Sequence, residues 1–338
     1  MNEKQRPTIR DVALEAGVGT TTVSRVINGG KLVAPAVRMR VESVIRQLGF
    51  QPSHAARSLA RERSQSIGLI VPRLTDPFFS NIASVAQGIC RANQHILLIS
   101  TSLDSEDQAI EEMEAFEGRR VDGLIVVPPA NASSVFHNYC RNLRARIIAI
   151  DLPIEGPGIS SVLTDNAEAT AKATRHLISH GRKRILFLGS NPELHTMSER
   201  RRGYCATISK ERLSPIVREN INSFEIAEET IMQVYKTSPG FDGILTANSA
   251  LGIYAFQVLQ KHKISIPSCV AFITFDDFEM ADTLRPAVTC MAQPIEELGR
   301  VATELLFAQL KSSQSRSQII QLPSSLVIRS SCGCKEKR

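Results

Sequence analysis

Two hydrophobic periods divide the chain. Up to about position 50 the apolar residues recur every three or four positions: Ile9, Val12, Ala13 and Ala16, then Val23 and Ile27, then Val37, Val41, Val44, Ile45 and Leu48. That is the spacing of helices that bury one face. From position 66 the pattern changes to short unbroken apolar runs, SIGLIVP (66–72), VDGLIVV (121–127) and IIAID (147–151) among them. Amphipathic stretches such as FFSNIASVAQGICRAN and ALGIYAFQVLQKH separate these runs. Runs of this kind alternating with helical segments predict βαβ units and parallel sheets. The fold class expected is therefore a small all-α module followed by an α/β body.

The α module has legible boundaries. Thr8 followed by Asp11 is a capping-box-like start, and Gly17 suits the left-handed position that ends a helix. Gly17-Val18-Gly19 forms a tight turn, a second helix runs from Thr20 to about Ile27, Asn28-Gly29-Gly30 stops it, and Pro35 opens a third. With Val23 and Ile27 facing inward, Thr20, Thr21, Ser24 and Arg25 face outward and Asn28 lies at the end. An array of donors and acceptors at the start of the second of two helices is what a helix-turn-helix offers to base edges in the major groove. The plainer alternative is a solvated polar face on a small bundle.

The body carries an internal echo. SIGLIVP corresponds to RILFLGS (184–190), VDGLIVV to FDGILTA (241–247), and IIAID to FITFD (272–276), at offsets of roughly 120 residues. Two such sets predict two similar Rossmann-like lobes. Ligands of open α/β sheets bind beyond the carboxyl ends of the strands, so a cleft between the lobes is the expected site. Residues at strand ends become candidates: the stretch from Arg73 to Phe79, Asp151, Asn248 and Asp276, with Arg200 preceding Gly203-Tyr204. Strand-end polar residues also serve as simple helix caps.

Charge changes the picture. The net charge of +6 lies wholly in residues 1–64, which hold eleven Lys and Arg against five acids, while the rest carries 29 of each sign. A basic module ahead of a neutral body is the footprint of a polyanion-binding protein, although a solvated basic face gives the same count. The seven cysteines are scattered apart from Cys332 and Cys334. Paired zinc ligands usually have two to four residues between them and need a second pair, so these two are expected to be free thiols in a frayed tail. Neither a long apolar span nor an apolar signal segment is present, so a cytoplasmic location without a membrane partner is expected.

TIRDVALEAGVGTTTVSRVING, followed by RVESVIRQLGFQPSHAARSLA, resembles the DNA-binding headpiece and hinge of the LacI/GalR (lactose-repressor) family, and the similarity continues through the body. The resemblance implies bases read by Thr20, Thr21 and Arg25, phosphates held by Thr8, Ser24 and Asn28, and Leu59 inserted into the minor groove by a hinge that becomes helical on DNA. A hinge that short is marginal as an isolated helix, and a plain linker is its other reading. The family's body has the fold of periplasmic sugar-binding proteins, with three crossings between lobes. These are expected near Ser160, Ala292 and Pro323. The domains would be a headpiece over 1–51, hinge and linker over 52–64, one lobe from 65–160 with 293–322, and the other from 161–292 with 323–334.

The resemblance further implies a small molecule held by Asp76, Phe79, Asp151, Arg200, Asn248 and Asp276 and flanked by the ring of Phe224. Carboxylates, an amide and a guanidinium suit the hydroxyls of a sugar-like ligand. Four positions depart from the family pattern: Gly19 and Ala34 stand where Ser-type caps are common, Leu152 where Arg is frequent, and Ser249 where Asp is frequent. Ala34 is a poor cap, at a cost of about 1 kcal/mol.

G-x-x-x-x-G-K-[ST], H-E-x-x-H and G-x-S-x-G are all missing, and the glycines of GVGTTT follow a helix rather than a strand. No catalytic residue, cofactor or metal is expected. The expected function is that of an effector-responsive transcriptional regulator, a repressor in its main reading. Its partners would be pseudo-palindromic double-stranded operator DNA, a small-molecule effector and a second copy of the chain. A periplasmic-type binding protein or a hydrolase is the alternative, which the basic headpiece disfavours.

Overall fold

A computed structural model describes residues 7–27, 32–50, 64–237, 239–312 and 317–334. Two compact units divide it, one up to Gln65 and one from Ser66 onward.

The first unit packs α1 (Ile9–Glu15), α2 (Thr20–Ile27) and α3 (Pro35–Leu48) around Val12, Ala13, Ala16, Val23, Val26, Val41 and Val44. The capping box is present: the Thr8 backbone N–H donates to Asp11 Oδ2 at 2.7 Å, and the Asp11 N–H donates to the Thr8 hydroxyl at 3.4 Å. Gly17 and Gly49 both take left-handed φ, 62° and 63°, where a side chain would be strained. Ala34 caps α3 without a side-chain bond. Helix α2 packs Val23 and the partly buried Ile27 against this core, as the i,i+4 spacing predicts, and Val26 is buried there beside them.

The body forms two six-stranded sheets among the described residues. In the first the order is β11 (Ile319–Leu322), β5 (Ser160–Thr164), β4 (Arg146–Ile150), β3 (Gly123–Val126), β1 (Ser66–Val71) and β2 (Ile96–Thr101). In the second it is β12 (Ser325–Val327), β10 (Thr289–Ala292), β9 (Ala271–Phe275), β8 (Gly243–Thr246), β6 (Ile185–Leu188) and β7 (Ile216–Arg218). All pairings are parallel except that of β10 with β12. The echo holds at the level of register. Gly123 pairs with Ile67 and Arg146, as Gly243 pairs with Ile185 and Ala271.

Helices of the first lobe are α4 (Pro77–Ala92), α5 (Glu106–Gly118), α6 (Ser134–Asn142) and α11 (Ile295–Lys311). Those of the second are α7 (Asn166–Ser179), α8 (His195–Lys210), α9 (Phe224–Tyr235) and α10 (Ser249–Lys261). The chain changes sheets between Thr164 and Asn166, at Gln293–Pro294, and between Leu322 and Ser325. The first crossing was expected near Ser160, but that residue opens β5. Ser160 looks like a loop residue in sequence, yet it is fully buried because its hydroxyl accepts from Gln309 Nε2 at 2.9 Å.

Candidate DNA interface and effector cleft

Within the headpiece, Thr20, Thr21 and Arg25 are exposed along α2 and Ser24 is half-exposed. Thr8 is exposed at the start of α1, with its hydroxyl donating to Asp11 Oδ2 at 2.8 Å. Asn28 and Leu59, assigned by resemblance to a phosphate and to the minor groove, lie outside the described residues, as does the hinge.

In the body, the carboxyl ends of the strands bring charges together. Asp151 follows β4 and Asp276 follows β9, and both adopt left-handed φ, 68° and 66°. Aspartate tolerates that region better than most residues. Each still donates its N–H to the neighbouring strand, Asp151 to the Val162 carbonyl at 3.1 Å and Asp276 to the Met291 carbonyl at 2.9 Å. The two lobes thus use the same device to turn a carboxylate off the sheet end.

Arg200 on α8 is buried. Its Nε donates to Asn166 Oδ1 at 2.7 Å and its Nη1 to the Ala247 carbonyl at 2.6 Å. Nη1 also lies 3.8 Å from Asp276 Oδ2, and the guanidinium stacks 3.7 Å from the centroid of Phe275. Gly203 makes this placement possible, since a Cβ there would overlap the Ala167 carbonyl, so α8 can lie directly against α7. Gln293, in the second crossing, donates from Nε2 to Asp276 Oδ1 at 2.6 Å and accepts at Oε1 from the Thr164 hydroxyl at 2.7 Å. Asn166 Nδ2 then donates to the Thr164 carbonyl at 3.2 Å. The contacts close a ring through Thr164, Gln293, Asp276, Arg200 and Asn166, joining two crossings to the end of β9.

Desolvation dominates the titration of these groups. Burial pushes the Asp151 carboxyl up to about 6; Arg200 opposes the rise, while Asp276 and Asp76 add to it. Burial also raises Asp276, against the pull of Arg200 and the hydrogen bond from Gln293. The structure therefore brings Asp76, Asp151, Asp276 and Arg200 within electrostatic range of one another.

Other expected site residues have partners of a different kind. Asp76 caps α4, accepting the Phe78 N–H at 2.9 Å, and Asn248 caps α10, accepting the Leu251 N–H at 2.9 Å. Phe79 is buried in the first lobe's apolar core, edge-on to Phe78. Phe224 opens α9, packed edge-on against Tyr254 and 5.5 Å beneath the Lys261 ammonium. Sequence reasoning missed Asn166, Thr164 and Gln293. Their signal, polar residues at chain crossings, emerges only once the crossings are located.

The tail also differs from expectation. Cys332 is fully buried, and residues 330–333 form a turn held by Ser331, whose hydroxyl donates to the Phe272 carbonyl at 2.6 Å. Cys332 and Cys334 lie beside His176 and His180 of α7. A second pair with three residues between its members therefore exists, 154 to 156 residues earlier in the chain.

A three-helix headpiece of helix-turn-helix form joined to a two-lobed α/β body, with charged groups converging at strand ends, defines a ligand-responsive DNA-binding regulator. Residues 8–53 match the model of bacterial regulatory proteins of the lacI family, and residues 64–330 match that of periplasmic binding proteins and the sugar-binding domain of the LacI family. The chain belongs to the LacI family of transcriptional regulators. It is 28% identical over 334 residues to the ribose operon repressor of Escherichia coli K12, covering 96% of this chain and 99% of that one. It is 27% identical over 331 residues to catabolite control protein A of Priestia megaterium, covering 96% and 98%. Among solved structures, the lac repressor dimer bound to operator and the anti-inducer ONPF superposes with a TM-score of 0.84 at 22% identity, covering 97% and 99%. That likeness is one of fold.

Proposed function

We propose that the protein is a homodimeric repressor that binds a pseudo-palindromic operator and releases or tightens its grip when a sugar occupies the cleft. The observation that carries this reading is the ring joining Arg200 and Asp276 to the crossings through Gln293 and Asn166. A polyol that competes for Asp276 would change bonds made by the segments on which the lobes turn. Relatives named as ribose operon repressors make pentoses the first class to test. The carboxylates of Asp76, Asp151 and Asp276 would accept from hydroxyls, Asn248 would accept or donate, Arg200 would donate, and Phe79 and Phe224 would flank the ring.

On DNA, Thr20, Thr21 and Arg25 would read bases, with Thr8, Ser24 and Asn28 on phosphates and Leu59 as a minor-groove wedge. Exposed Ile96 and Ile99 on the edge strand β2 favour a covering second copy of the chain. No helix among the described residues is long and apolar enough to cross a membrane. A cytoplasmic, non-enzymatic role follows from this reading. The test is thermal unfolding of the full chain with D-ribose, other pentoses, hexoses and purines. A ligand specific to the folded state raises the melting temperature, and a panel without any shift would remove the sugar-responsive reading.

A further inference from the structure

His176 and His180 lie one turn apart on α7, so their rings share a face and meet edge-on at 4.8 Å between centroids. The C-terminal turn brings two sulfurs to that face. His176 Nε2 is 3.3 Å from Cys332 Sγ and 3.6 Å from Cys334 Sγ, and His180 Nε2 is 3.1 Å from Cys334 Sγ. One ligand atom from each of the four residues falls within 4.8 Å of the others.

Zinc bound at about 2.3 Å to sulfur and about 2.0–2.1 Å to nitrogen in a tetrahedron puts neighbouring N and S atoms about 3.6 Å apart. The nitrogen–sulfur separations here already span 3.1 to 3.6 Å. Four such donors, two imidazoles and two thiolates, suit zinc rather than the oxygen-seeking magnesium or calcium. The surroundings are built to hold this arrangement. The Thr289 N–H donates to Ser331 Oγ at 2.8 Å, the Ser331 N–H donates to the Ala287 carbonyl at 2.9 Å, and Gly333 turns the chain at φ 107°. A Cβ on Gly333 would stand 3.4 Å from His180 Nδ1.

We propose that His176, His180, Cys332 and Cys334 form a structural Cys2His2 zinc site that fastens the C-terminal turn to α7. The site is closed, with four protein ligands and none left for substrate, which is the arrangement of structural rather than catalytic zinc. It would secure the chain just after its third crossing, where β12 joins the second sheet, and so belongs to the frame of that lobe rather than to the strand-end cleft.

The test uses the untagged full chain, purified under reducing conditions and supplied with zinc, followed by removal of free metal. Elemental analysis should find about one zinc per chain, as expected for a single four-ligand site. His180→Ala and Cys334→Ser should each abolish stoichiometric retention, and His180→Cys, which restores a ligand, should recover it. Cobalt loaded in place of zinc should show the visible absorption of tetrahedral thiolate coordination, lost in Cys334→Ser. A strong chelator should lower the melting temperature of the parent chain and leave that of His180→Ala unchanged. Zinc absent from the folded parent chain, zinc retained equally by the variants, or a Cys332–Cys334 disulfide under these conditions would overturn the proposal.

Discussion

Arg200 and Asp276 face each other at 3.8 Å, one from an outer helix and the other from the end of a strand in the same lobe. The guanidinium is almost fully buried and makes its two shortest bonds to Asn166 and the Ala247 carbonyl, so Asp276 receives a charge already fixed in place. Through Gln293, the same carboxylate reaches Thr164 at the end of the other lobe's β5. A ligand bound at Asp276 would therefore act on both lobes at once.

Replacing Arg200 by Met should leave Asp276 and Asp151 desolvated without their cation. Removing one partner of a buried charged set costs about 3–5 kcal/mol, so urea unfolding should show a loss of that size. Arg200→Lys should recover only part of it, because an ammonium cannot reproduce the planar fork that spans Asn166 and Ala247. A loss below about 0.5 kcal/mol, the range of ordinary surface substitutions, would mean that the guanidinium holds nothing.

Asp151 supplies a pH signature. Its folded pKa of about 6 lies above the ordinary aspartate value, so the folded state holds the proton more tightly than the unfolded chain does. Its contribution is therefore most favourable below the unfolded value, declines as pH rises toward about 6, and is constant above that. Asp151→Asn should stabilise the chain by about 1–3 kcal/mol near pH 8 and by progressively less toward pH 4. Unfolding midpoints across that range check it; a gain that does not vary with pH would contradict the assignment.

Gln293→Glu keeps the shape but sets a carboxylate against Asp276. Like charges this close disfavour joint ionisation, so the variant should lose about 1–3 kcal/mol at neutral pH and recover as pH falls. Gln293→Leu should lose a similar amount without the recovery.

For the headpiece, Arg25→Ala should weaken operator binding by about 1–3 kcal/mol while leaving non-specific binding nearly unchanged, as read by fluorescence anisotropy on two DNAs. Equal losses on both would make Arg25 a phosphate contact.

The α/β fold was legible because buried parallel strands read as unbroken apolar runs, and the repeat of VDGLIVV as FDGILTA marked equivalent strands. Less legible were features set by tertiary contact. Nothing local in SERRRGY says which arginine is buried; the close approach of α8 to α7 at Gly203 aligns Arg200 with Asn166. Ser160 and Ser161 disguise a strand because distant partners satisfy them, Gln309 for the first and the Gln318 carbonyl for the backbone of the second. Cys332 and Cys334 looked idle because their neighbours His176 and His180 are far away in sequence and close only in the fold.

Coupling between the cleft and the DNA surface must be reciprocal, so each ligand should change the affinity for the other. The sugar that raises the melting temperature should be titrated into the full chain with and without saturating operator, and operator with and without saturating sugar. Both pairs of affinities should differ by the same factor, in the range of about 5 to 150. Sugar affinities that are identical with and without operator would contradict the account and reduce the cleft to a pocket with no regulatory role.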